Sequence, residues 1–112
     1  TSSAASDVYK RQTVISLMNR VIDESTAVRV HSHVEKFDGT KSPPGFAAVV
    51  LLDESHLTAH CYSANGWLSI DCFTCGTADT VAIIDAMDEA IRKASPTIKL
   101  EKRHSETRFI NG

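Results

Sequence analysis

Nowhere in this 112-residue sequence do apolar side chains run together for the roughly 18–20 positions that a bilayer-spanning helix needs. The N-terminus also lacks the apolar core of a secretory signal. Cysteine is scarce and odd in number: Cys61, Cys72 and Cys75 cannot complete a disulfide framework within one chain, and they read as thiols of a reducing cytoplasm. Nor does either sign of charge dominate. A formal net charge of −2 gives no electrostatic reason to expect nucleic acid or an anionic membrane as partner. Internal repeats are absent. What remains is an ordinary soluble composition, 42% hydrophobic and 23% charged, in a chain of a length that makes one domain with a modest core.

The first dozen residues stand apart. Ser2 to Gln12, SSAASDVYKRQ, resembles the in-frame translation of a transposon-type sequencing adaptor. Residues 1–12 are therefore expected to be an artefact without fixed structure, and the domain to occupy 13–112, truncated at its N-terminus.

Along that domain the hydrophobic period changes twice. Val14, Leu17, Met18, Val21 and Ile22 recur at helical spacing and predict a helix from Thr13 to about Asp23. Val28, Val30, Ser32 and Val34 alternate with Arg29, His31, His33 and Glu35, as in a half-buried strand with the two histidines on its solvated face. Ser42-Pro43-Pro44-Gly45 is turn chemistry. The unbroken apolar run Phe46–Leu52 fits a central strand. Leu57–Tyr62 and Trp67–Phe73 are further strands, with Asn65-Gly66 between them as a hairpin signal. Thr77 or Asp79 caps a second helix bearing Val81, Ile84, Met87 and Ile91 on one face, and Ser95-Pro96 stops it. Ile98–Arg103 reads as an edge strand. The sum is an α+β, two-layer sandwich: a mainly antiparallel sheet backed by two helices.

Chemistry concentrates in two places. Asp53-Glu54-Ser55-His56-Leu57-Thr58-Ala59-His60 packs two acids, a hydroxyl and two imidazoles behind the apolar strand. Asp71-Cys72-Phe73-Thr74-Cys75-Gly76 follows a short distance on. A two-residue turn at Asn65-Gly66 sets His56 opposite Cys75, which places a thiol beside the Ser55 hydroxyl. His60 is harder to bring in: five residues of straight strand span about 16 Å. It joins the site only if the chain bends at Glu54–His56, or if it approaches across a neighbouring strand. A zinc site from His56, His60 and either Cys72 or Cys75 is disfavoured. Two cysteines three apart on a strand point to opposite faces, and no metal is expected. Cys72-x-x-Cys75 as a redox pair would need a helix N-terminus, and it sits at a strand end. Cys61 and Cys72 read as core thiols, and Trp67 as a packing residue beside the turn.

Leu52–His60 resembles the ESHxxxH signature of the prokaryotic S-adenosylmethionine decarboxylases, and Phe73-Thr74-Cys75-Gly76 resembles that family's FTCG segment at the same distance from the serine. The similarity runs from about Pro44 through Gly76. It implies that Ser55 attacks the Glu54 carbonyl, cutting the chain between Glu54 and Ser55 and converting Ser55 into a pyruvoyl group. A substrate amine would condense with that ketone as an imine, which serves as electron sink for decarboxylation. It implies proton transfer during self-cleavage for His60, and protonation of the substrate α-carbon for Cys75. It further implies a cytoplasmic homodimer of cleaved protomers, acting on a small molecule to supply the aminopropyl donor of spermidine synthesis.

Three departures keep alternatives open. Where the family commonly continues Thr-Trp-Pro-Glu, His60 is followed by Cys61-Tyr62-Ser63-Ala64, which leaves room for a basic amino acid, ornithine or arginine, as substrate. Ala47 stands where a hydroxyl residue commonly assists processing, and the family's leading strand has no counterpart. These two leave room for an uncleaved homologue with a regulatory or binding role.

Overall fold

The computed structural model describes residues 10–62, 66–75 and 79–96. Its elements follow the order α1 (Arg11–Asp23), β1 (Arg29–Phe37), β2 (Gly45–Leu52), β3 (Ser55–Tyr62), β4 (Trp67–Thr74) and α2 (Thr80–Ala94). The strands form one antiparallel meander in the spatial order β1-β2-β3-β4. Strictly sequential neighbours joined by short connections are the expected outcome when every strand is followed by turn residues.

Alternation decides which side of the sheet is buried. On β2, Phe46, Ala48, Val50 and Leu52 are buried, and on β3 Leu57, Ala59 and Cys61 are fully or almost fully enclosed. These side chains meet Val14, Met18, Val21 and Ile22 of α1, and Ile83, Met87 and Ile91 of α2. Both helices thus lie on one face. The other face carries His31, Leu51, His60 and Trp67, all exposed, and among the described residues no element covers it. Among the described residues, no helix is long and apolar enough to cross a membrane.

The α+β sandwich is as predicted, with local corrections. Helix α1 begins at Arg11, two residues inside the stretch 1–12 expected to lack structure. Arg11 and Gln12 are good helix formers, and a Val14 N–H to Lys10 C=O bond of 3.1 Å closes the first turn. Residues 1–9 lie outside the described residues. Val28 and Val30 are exposed rather than half-buried, because the β1–β2 register shifts between Arg29 and His31 and the bulge turns this end of the edge strand outward. Asp23 and Arg29 join across that corner in a two-pronged ion pair, 2.9 Å on each prong. In α2 the buried stripe is Ile83, Met87, Ala90 and Ile91, with Ile84 partly buried against it and Val81, in the first turn, facing solvent. Asp79 is the cap, accepting the Ala82 N–H at 3.1 Å. The predicted strand Ile98–Arg103, the cap alternative Thr77 and the turn residue Asn65 lie outside the described residues.

Candidate active site

Strands β2 and β3 are joined by a two-residue turn, Asp53-Glu54, with Leu52 and Ser55 as the last facing pair. Glu54 has φ +63, the left-handed region that type II turns require at their second central residue and that normally falls to glycine. A side-chain-bearing residue held there costs on the order of 1 kcal/mol. The peptide bond after this strained residue is the one between Glu54 and Ser55.

Strand β4 supplies what surrounds that bond. Ser55 faces Thr74 across the β3–β4 ladder, and its hydroxyl donates to Thr74 Oγ1 at 2.7 Å. One residue on, Cys75 extends the ladder: its backbone N–H reaches the Glu54 carbonyl oxygen at 3.2 Å, and its thiol reaches the same oxygen at 3.0 Å. Two donors on one carbonyl polarise it and can stabilise negative charge on its oxygen. Hydroxyl, carbonyl and donors therefore meet at the exposed end of one hairpin. His56 points to the other face. There its ring stacks on Phe73, with centroids 5.3 Å apart, and its Nε2 lies 3.3 Å from Asp71 Oδ2.

The sequence placed Cys75 opposite His56. It is Phe73 that stands there, because Tyr62 pairs with Trp67 and four residues rather than two connect the strands. The register moves by two positions. Such a shift preserves the face of every side chain, which is why the thiol still arrives beside Glu54–Ser55. Its contact is the Glu54 carbonyl, whereas the Ser55 hydroxyl is taken by Thr74, a residue given no role from sequence. Thr74 sits inside the quoted Phe73–Gly76 segment; only the correct register singles it out.

His60 is not brought to Ser55. Pairing on both sides of β3 is continuous from Ser55 through Cys61, so the strand has no bend that could fold His60 back. The two residues are about 16 Å apart along the strand. An odd separation also puts them on opposite faces. His60 is exposed on the uncovered face, directly opposite Ala47 of β2, so a methyl group meets the imidazole there. Trp67 is 64% exposed on that same face, rather than packed beside the turn. Among the described residues no three His, Cys, Asp or Glu side chains are grouped to hold a metal ion.

The three thiols differ sharply in environment. Burial pushes the Cys61 thiol up to about 11; burial, then the neighbouring Asp71 charge, does the same to Cys72. Cys75 is exposed. A disulfide-forming reagent is expected to titrate Cys75 first, with Cys61 reacting only on unfolding; equal rates for all three would contradict this burial order. Folding should also weaken in alkali. The Cys61 thiol ionises near its ordinary 9.0 when unfolded but near 11 when folded. Its contribution is thus intact below about pH 9 and is lost as pH rises toward 11, on the order of 2 kcal/mol in all. Melting temperature measured against pH, with Cys61→Ala as reference, reads this directly.

A family profile described as S-adenosylmethionine decarboxylase matches residues 3–104. Among curated relatives, an S-adenosylmethionine decarboxylase proenzyme from Archaeoglobus fulgidus is 30% identical over 89 residues, covering 80% of this chain and 74% of its own length. One of the same description from Anoxybacillus flavithermus is 39% identical over 62 residues, 54% of this chain and 50% of the relative. A third, from Symbiobacterium thermophilum, is 43% identical over 51 residues, 45% of this chain and 39% of the relative. The matched part thus spans between about two-fifths and three-quarters of these relatives.

Proposed function

The chain belongs to the S-adenosylmethionine decarboxylase family, and from that premise we propose that it cuts itself between Glu54 and Ser55 and then decarboxylates S-adenosylmethionine. One observation carries the reading: both donors of Cys75 converge on the Glu54 carbonyl oxygen, beside the Ser55 hydroxyl. An N-to-O acyl shift is helped by such donors on the carbonyl oxygen; the Cys75 N–H continues the ladder, and the thiol adds a second donor that the ladder does not require.

The steps balance without an oxidant. Ser55 Oγ bonds to the Glu54 carbonyl carbon, the carbon–nitrogen bond breaks, and the hydroxyl proton ends on the Ser55 nitrogen. Loss of the Ser55 α-hydrogen then expels the Glu54 carboxylate from Cβ. Water finally displaces the nitrogen as ammonia, leaving a ketone at the head of the second chain. The residues fit such a pyruvoyl group: it would start β3, next to the exposed Cys75 thiol and the Thr74 hydroxyl. When formed, it supplies a carbonyl that engages a substrate amine and draws off the electron pair left by departing carbon dioxide. Cys75, accessible at the strand end, protonates the substrate α-carbon, and His60 moves a proton during self-cleavage.

His60 can serve that role only on another copy, since its own Ser55 is out of reach. A second protomer laid across the uncovered face would bury Leu51 and Trp67, and its His60 would reach the partner's Ser55 around the Glu54 turn, because the Ser55 side chain lies on the helix-covered side. This supports a homodimer, in the cytoplasm where Cys61, Cys72 and Cys75 stay reduced. The product would be the aminopropyl donor for spermidine synthesis.

Intact mass under denaturing conditions, with carbon dioxide release measured from labelled S-adenosylmethionine, ornithine and arginine, tests the proposal. Two chains, the second beginning with a ketone, and release from S-adenosylmethionine alone are expected. Release from ornithine or arginine instead would transfer the activity to a basic amino acid. A chain that stays whole would point to the uncleaved, binding role that Ala47 opposite His60 favours.

A further inference from the structure

Thr74 has no part in the steps above, yet it holds the shortest side-chain contact of the site. Ser55 and Thr74 are the last Cα partners of the β3–β4 ladder, and the serine hydroxyl donates to Thr74 Oγ1 at 2.7 Å. Cys75, the next residue, grips the Glu54 carbonyl oxygen with its N–H and its thiol. The last residue of β4 and the one that follows it thus hold both reactants: the electrophile by Cys75 and the nucleophile by Thr74.

We propose that Thr74 is a positioning residue for self-cleavage, fixing the Ser55 hydroxyl so that its lone pairs are free to address the Glu54 carbon; this rests on the self-cleavage reading. A serine hydroxyl has one proton and two lone pairs, and it turns among three staggered positions. With the proton directed at Thr74 Oγ1, one of those positions is held and no lone pair is spent as an acceptor in that bond. In the acyl shift the Oγ–carbon bond forms, the carbon–nitrogen bond breaks, and the proton that pointed at Thr74 ends on the Ser55 nitrogen. Threonine suits the task beyond its hydroxyl: its branched Cβ stiffens χ1 and favours a strand, so the acceptor is itself held. The contribution is one of orientation, which is where much of the advantage of an intramolecular reaction lies.

The test follows chains made by cell-free synthesis, with intact mass recorded against time and with hydroxylamine added to trap the ester. Thr74→Val keeps the branched shape and deletes the acceptor. It is expected to cleave about tenfold more slowly and to yield a smaller hydroxylamine-released fraction, as loss of one hydrogen bond implies. Thr74→Ser restores the acceptor and should recover a rate within about threefold of the parent. Thr74→Ala deletes the acceptor without a new methyl contact and repeats the comparison if valine lowers the melting temperature. Cleavage of Thr74→Val and Thr74→Ala at the parent rate overturns the proposal while leaving the proposed function standing. Equal slowing in Thr74→Ser overturns it too, since shape rather than the hydroxyl would then matter. A parent chain that never cuts removes the self-cleavage reading itself, and a loss confined to Thr74 variants cannot be mistaken for that.

Discussion

Ser55→Ala is expected to remain a single uncut chain at every incubation time, with no decarboxylation, and this is the largest effect on activity available in the molecule. Alanine keeps the strand and the Leu52 pairing at the end of the hairpin, so the fold should persist with an unchanged melting temperature. What disappears is the only hydroxyl on the residue following the Glu54 carbonyl, and with it the ring-closing attack. The Cys75 thiol cannot stand in, because it addresses the carbonyl oxygen rather than the carbon. The rate should fall by at least about 10³-fold, the scale on which loss of a nucleophile is felt.

His60→Ala is expected to block cutting as well, but in a way another chain can repair. In cells making both variants, a mixed dimer pairs one chain that keeps Ser55 with one that keeps His60. About half of the His60→Ala chains would fall into such dimers under random assortment and be cut there. Mass spectrometry distinguishes the variants. If no cut His60→Ala chain appears on co-expression, His60 does not act across a dimer, and its distance from Ser55 in the protomer leaves it without a role in cleavage.

Gly45→Ala should be the most damaging single methyl added to the fold. A Cβ at Gly45 would sit 2.0 Å from the Cys61 carbonyl oxygen, 3.1 Å from the Cys61 carbonyl carbon and 3.2 Å from Tyr62 Cα. All three are backbone atoms of β3, a central strand paired on both sides. No rotamer change can relieve the clash; β2 and β3 have to separate at this end. Overpacking of this kind costs about 3 kcal/mol, which lowers Tm by roughly 10–20 °C in a domain of this size. Denaturant and thermal midpoints measured side by side on Gly45→Ala and the parent decide it, and coincident curves would mean that the strands can spread freely here.

Much of this was legible in the residues. The helical spacing of Val14, Met18, Val21 and Ile22, and the alternation through β3, encode burial directly, because a side chain's face is set by its position in a local repeat. The motif pair around Ser55 and Cys75 pointed to the Glu54–Ser55 bond and to the thiol beside it. That juxtaposition survived a register error of two, because a shift of two leaves faces unchanged. Local pattern failed where burial depends on neighbours rather than on period. Val28 and Val30 look like core residues and are exposed, since a bulge on an edge strand turns them away from the helices. Gly45 read as part of a turn, and its lack of a side chain turns out to serve a close approach by β3.

Sequence by itself thus determined the class of fold, through local spacing, and, through its pair of motifs, the family and the Glu54–Ser55 segment. Tertiary structure alone decided which donors meet which acceptors: Cys75 on the Glu54 carbonyl, Thr74 on the Ser55 hydroxyl, and His60 on the far face of the sheet. The physical reason is register. Cross-strand partners are chosen by the length of a connection and the packing of two distant segments, neither of which any single stretch of sequence contains.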